Sequence, residues 1–221
     1  MSEPLTASDP RTTVEDRRAT WLPVGVGVVV LLAALANITP HLIGVFFDDA
    51  IYALVAKAIA EGQGFVYPQL PGTPPAIHYP PAFPLLLSLV WKVAPPFPES
   101  TMWFKLVNPV VLAVAAWGAT RLAIRALGWT PLAAAGAVLL GFVSVPTLML
   151  TGVLLSEPLF LATLFPALLS ATLLLERGGT KWAVLAGLAT AVLVLTRTVG
   201  GVVLPAVVLL LVPDRRWRET A

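Results

Sequence analysis

Long apolar runs alternate with short polar ones through most of this chain, and one segment breaks the rule. Trp21 to Phe47, Trp103 to Thr120, Pro131 to Leu154 and Pro158 to Leu175 each read as an apolar helix. Trp182 to Val212 is apolar except around Thr196-Arg197-Thr198. At ~1.5 Å per residue it is too long for one ~30 Å span and too short for two. Between the first and second runs, Phe46 to Ser88 mixes carboxylates, an amphipathic pattern, prolines and aromatics. From Asp49, the apolar positions Ile51, Leu54, Val55, Ala58 and Ile59 predict a one-faced helix, with Lys57 and Glu61 paired on its polar side. Gly62 and Gly64 are expected to end it. Ten of the 21 prolines fall between Pro68 and Pro98, which predicts a stiff extended loop. Pro84 to Val93 predicts a second short helix, interfacial or re-entrant.

Composition agrees with the pattern. Charged residues make up 12% and hydrophobic ones 57%, where a soluble domain carries about 25% charged residues. The expected fold is all-α, a polytopic transmembrane helical bundle with interfacial helices in its first extracytoplasmic loop. Residues 1–20 are polar and expected to be a disordered cytosolic tail. Residues 21–212 are the transmembrane domain, with 46–100 outside, and 213–221 form a second cytosolic tail. Arg17-Arg18, the apolar run and Ala34-Leu35-Ala36 imitate a cleaved signal. The run resumes after Pro40, however, so one long helix kinked at Pro40 is expected.

Charge sets the orientation. With Trp182 to Val212 folded as a hairpin near Arg197, ten of the basic residues lie inside, and only Lys57, Lys92, Lys105 and Arg197 lie outside or within the membrane. Six membrane-entering segments with both termini cytosolic follow. A net charge of +2, with basic residues scattered at helix ends, is too small to suggest a nucleic-acid partner, and none is expected; the absence of cysteine excludes disulfides and thiolate chemistry.

Candidate chemistry sits at the outer face. Asp48 and Asp49 stand where charge is costly. One can cap the helix that follows while the other faces a cleft, but as neighbours they cannot straddle a glycosidic bond. Arg197 interrupts an apolar segment, as a snorkelling anchor or an anion site. Glu157 begins a helix, where an acid is also expected for its own sake. His78 reads as a loop residue, since a metal role needs partners and the only other histidine is His41.

Asp48-Asp49-Ala50-Ile51-Tyr52 resembles the D-[DE]-x-x-Y element in the first outer loop of the GT-C-fold glycosyltransferases, closest to the protein-mannosyltransferase, aminoarabinose-transferase and bacterial family 39 members. His78-Tyr79-Pro80-Pro81 is similar to their K-P-P-L or K-Y-P-P element, Ser156-Glu157-Pro158 to the acidic position opening their fourth span, and Leu195-Thr196-Arg197-Thr198-Val199-Gly200 to L-T-K-x-x-G. The resemblance covers the N-terminal part of the family and implies a chain truncated relative to it.

It implies a multi-pass protein of the bacterial plasma membrane that moves a sugar from a polyprenyl-phosphate donor to a hydroxyl of a lipid, glycan or protein acceptor. Asp48 matches the general base. Asp49 matches the second acidic position, orienting the acceptor or a divalent cation. Arg197 matches a phosphate-neutralising lysine, His78 or Tyr79 stands where a second phosphate contact is expected, and Tyr52 and Glu157 support the site. Membrane lipids are the remaining partners. The competing class is a transporter or flippase for an anionic lipid-linked substrate, and a third reading is a non-catalytic remnant.

Overall fold

The computed structural model describes residues 10–39, 43–44 and 47–211. Every regular element among them is helical, and Val66 and Pro75 form an isolated antiparallel bridge. Among the described residues three helices are long and apolar enough to cross a membrane: α1 (Pro10–Ala36) through its Ala19–Ala36 portion, α4 (Thr101–Ala126) and α7 (Glu157–Arg177). A fourth span is available if α5 (Pro131–Phe142) and α6 (Val145–Thr151), bent by 64°, count as one. The chain is thus a helical membrane protein, with three or four spanning helices by length and composition among the described residues, against the six membrane-entering segments expected.

α4 is the central helix. It packs lengthwise on α1 and α7, and α7 packs on α8 (Thr180–Thr196). Close approach rests on small residues, as is usual where lipid removes the hydrophobic drive for helices to associate. A Cβ on Gly118 of α4 would stand 3.0 Å from Cβ of Phe165 on α7. The α1–α4–α5 contact buries Val26, Val30, Ala34, Leu112, Ala116 and Ala135.

Several expectations need correction. The tail is helical from Pro10, because proline in a first turn has no amide to lose and its φ already suits a helix. Residues 1–9 and the tail over 213–221 lie outside the described residues. α1 stops at Ala36 rather than running to Phe47. Asn37 and the β-branched pair Ile38-Thr39 precede Pro40, and the residue before proline is pushed out of the α region. Pro40 itself lies outside the described residues.

The single run expected over Pro131 to Leu154 is broken at Val143-Ser144. Pro146 supplies no amide for the turn before it, and the Ser144 and Thr147 hydroxyls both donate to the Gly141 carbonyl, at 2.8 and 2.9 Å. The break expected near Arg197 is present. Beyond it come a 3-10 turn (Thr198–Val202) and α9 (Val203–Leu211), which packs on that turn and on α7.

The two short helices are α2 (Asp48–Ala60) and α3 (Ala82–Val93), packed on each other and, through Phe104 and Leu154, on the bundle. α2 ends where expected, with Gly62 at φ +77°. Lys57 and Glu61 lie 3.7 Å apart. The buried face is turned from the one anticipated: Tyr52, Val55, Ala56 and Ala58 are inside, while Ile51 and Leu54 are half-buried. In a membrane protein the most apolar side chains need not face protein, since lipid accepts them. The proline loop is pinched rather than extended, with Tyr67 N–H on the Pro74 carbonyl and Ala76 N–H on that of Phe65, both at 2.9 Å.

Side-chain contacts define two ends of the bundle. At one, Arg121 reaches the Ala19 carbonyl at 3.5 Å, Arg125 pairs with Glu176 at 2.6 Å, and Arg177 and Lys181 lie over Trp182. At the other lie α2, α3, the start of α7 and the end of α8.

Candidate functional site

Consecutive residues on a helix diverge, and the Asp pair divides accordingly. Asp48 opens onto a cleft. Asp49 is only 2% exposed and points into the protein, where its two carboxylate oxygens accept from Gly44 N–H and Ala50 N–H, each at 2.9 Å. The expectation that Asp49 orients an acceptor or a cation is therefore corrected: it closes the chain link leading into α2 and does not line the cleft.

One turn along α2 from Asp48, Tyr52 shares its face. Its ring meets Tyr79 and Phe83 edge-to-face, with centroids 5.0 Å apart in both cases. Its hydroxyl donates to Ser156 Oγ at 3.1 Å. Burial pushes its phenol above the ordinary tyrosine range.

Tyr79 does not turn its hydroxyl to Arg197, as a phosphate contact would. It donates to Asp48 Oδ1 at 2.6 Å. Burial first, then this hydrogen bond and the Asp48 charge, push its pKa well above the usual tyrosine value, so it stays a donor. His78 is exposed and stacks edge-on against Tyr79, at 5.4 Å.

The opposite wall comes from α7 and the end of α8. Ser156 and Glu157 begin α7, and the segment before them is pinned by Asn108 of α4. Its Nδ2 faces the carbonyls of Leu150, Val153 and Leu155 at 3.4, 2.7 and 3.2 Å. Arg197 leaves α8 in extended backbone, φ −151°, and its carbonyl accepts from Gly200 N–H at 2.9 Å. That turn folds so tightly onto α8 that a Cβ on Gly200 would stand 2.6 Å from Leu193 Cγ. The Arg197 guanidinium pairs through Nη1 with Glu157 Oε1, and Nη1 lies 3.5 Å from Ser156 Oγ. With both side chains more than a third exposed, such a pair is worth about 0–1 kcal/mol.

The result is one cleft of about 300 Å³ lined by Asp48, Tyr52, His78, Tyr79, Pro80, Leu155, Ser156, Glu157, Arg197, Thr198 and Val199. Of the seven residues singled out in the sequence, six line it and Asp49 does not. A carboxylate and a guanidinium on opposite walls can take a proton from one part of a ligand and hold an anion at another. Among the described residues no three His, Cys, Asp or Glu side chains are grouped to hold a metal ion, and His41 lies outside them.

Three residues without an assigned role in the sequence make structural contacts, the first two at the site. Ser156 bridges Tyr52 and Arg197, Asn108 fixes the chain before Ser156, and the buried Lys105 donates to the Thr39 carbonyl at 2.8 Å. The signal for the last two was a lysine and an asparagine three residues apart, hence on one face, in an apolar span. Comparison of the chain with protein-family models, curated proteins and solved structures found no match.

Proposed function

We propose that this protein is a membrane glycosyltransferase that moves a sugar from a polyprenyl-phosphate donor to an acceptor hydroxyl at the extracytoplasmic face. One observation supports this reading above the others. Residues from four separate stretches, around positions 48–52, 78–79, 156–157 and 197, meet in one cleft at the end of the bundle away from Arg121, Arg125, Arg177 and Lys181. The positive-inside tendency puts that arginine-rich end in the cytosol and the cleft outside.

In this mechanism the acceptor oxygen attacks the anomeric carbon as the bond from that carbon to the phosphate oxygen breaks. Asp48 takes the hydroxyl proton, steadied by the Tyr79 donor. The departing polyprenyl phosphate carries its own charge and needs no proton, and Arg197 stabilises it.

The test is sugar transfer from labelled polyprenyl-phosphate sugars by the full chain in nanodiscs. Asp48→Asn is expected to lower turnover by roughly 10²–10⁴-fold, as for loss of a general base. Asp49→Asn, acting through the link into α2, should lower it less. Equal rates for Asp48→Asn and wild type would overturn the assignment.

Transport of an anionic lipid is the second reading, and the break at Val143-Ser144 favours it, since it adds an interrupted apolar segment to the one at Arg197. That bend contributes no residue to the cleft, whereas paired broken helices in transporters meet at the substrate. Movement of the intact donor between leaflets, without release of sugar, would decide for transport.

A further inference from the structure

Arg197 already has an anion, and that anion belongs to the protein. Its Nη1 meets Oε1 of Glu157. The pairing falls short of the two-pronged fork that makes arginine–carboxylate contacts strong, because Glu157 Oε2 is buried with no hydrogen-bond partner. Both side chains are more than a third exposed and both line the cleft, so a ligand there reaches the guanidinium directly. Glu157 also has a second reason to stay where it is. As the first residue of α7 it sits in the favourable field of a helix N-terminus, so releasing Arg197 does not leave it without compensation.

We propose that Glu157 is a resident competitor for Arg197: the phosphate of the lipid carrier displaces the carboxylate from the guanidinium on binding, and the carboxylate returns when the carrier leaves. Glu157 thereby sets the affinity of the cleft for the charged carrier and keeps Arg197 from facing the empty cleft unpaired. The inference rests on the reading of Arg197 as the phosphate site. It goes beyond that reading in giving Glu157 the opposite sign, a residue that weakens binding by holding the cation the ligand needs.

The experiment measures binding of polyprenyl monophosphate, with uncharged polyprenol of the same length as control, to the full chain in nanodiscs. Variants are Glu157→Gln, Glu157→Ala, Arg197→Ala and Glu157→Gln/Arg197→Ala. Glu157→Gln keeps the side chain's shape and should bind the monophosphate up to about fivefold tighter, the scale expected when binding no longer has to break a partly exposed ion pair. Glu157→Ala should move the same way, and polyprenol binding should not change. In the double variant the gain should vanish, leaving affinity within about twofold of Arg197→Ala.

If Arg197→Ala binds the monophosphate as tightly as wild type, the phosphate-site reading itself falls. If Arg197→Ala is weaker but neither Glu157 variant is tighter than wild type, that reading stands and the competitor role is overturned. A gain that persists in the double variant overturns it too, because Glu157 would then act by general repulsion and not through Arg197.

Discussion

Tyr79 donates its hydroxyl to Asp48 across 2.6 Å, joining the first residue of α2 to a loop position 31 residues away. The proton and the carboxylate stabilise one another. The neutral phenol is favoured by burial and by its acceptor, and one Asp48 oxygen is held in place.

This coupling is directly measurable. In Asp48→Asn, the hydrogen-bonded carboxylate and its charge no longer hold the Tyr79 proton, while burial, the larger cause, remains. Tyr79 should therefore ionise at lower pH in that variant than in wild type, yet still above the ordinary tyrosine value. The sign for stability follows from the raised native pKa. The contribution of Tyr79 is fully present below the unfolded-state value of about 10 and is lost as pH climbs through the native one. A pH titration of tyrosinate absorbance, with Tyr79→Phe to identify the transition, checks it. An unchanged curve in Asp48→Asn would show that the carboxylate does not hold the phenol.

Lys105 should matter for stability well beyond its size. It is 2% exposed, fastens the Thr39 carbonyl to α4, and lies in the field of Asp49. Lys105→Met leaves that carbonyl without its donor and removes a cation from beside a buried carboxylate. The expected cost is about 1–3 kcal/mol, the scale for an orphaned buried polar group. Chemical denaturation in detergent micelles is the measurement, and a variant as stable as wild type would mean the tether is dispensable.

Gly200 is expected to tolerate no side chain. Alanine there meets Leu193 Cγ at 2.6 Å and the Leu193 backbone at 3.1 Å, so the turn carrying Arg197 has to move. The cost should be roughly 1–3 kcal/mol, typical of overpacking. Adding Leu193→Ala should recover only part of it, because the backbone contact stays. Full recovery in the double variant would show that the clash is with the leucine side chain alone.

Orientation is open to a simple test, since the chain has no cysteine of its own. Single cysteines at Gln69, in the pinched loop, and at Thr180, the first residue of α8, lie at opposite ends of the bundle. Membrane-impermeant reagent added outside intact cells should label Gln69→Cys and spare Thr180→Cys. The reverse pattern would put the cleft in the cytosol and exclude an extracytoplasmic reaction.

Much of this arrangement is readable in the chain because it depends on local chemistry. Gly62 ends α2 through its freedom at positive φ, and an arginine in an apolar run marks the end of α8. What escapes reading depends on three-dimensional choices. Which of Asp48 and Asp49 faces the cleft is decided by where the first turn of α2 starts, and a shift of one residue would exchange them. The break at Val143-Ser144 hides in an apolar run because hydroxyls from its own neighbourhood satisfy the freed Gly141 carbonyl, so no polar stretch advertises it. Asn108 acts on carbonyls more than forty residues away, a relationship no local pattern contains.

The cleft is assembled at helix ends: Asp48 opens α2, Glu157 opens α7, and Arg197 follows the last turn of α8. Each helix start carries about half a positive charge from its aligned peptides, and a helix finish the corresponding negative one. Two backbone half-charges thus stand behind the two carboxylates, and the guanidinium stands in front of a negative helix end. The backbone supplies a fixed field of the sign each side chain needs, independent of any rotamer. Whatever the side chains do when the cleft is filled, these peptide dipoles stay fixed, two positive ends and one negative end at set places around it.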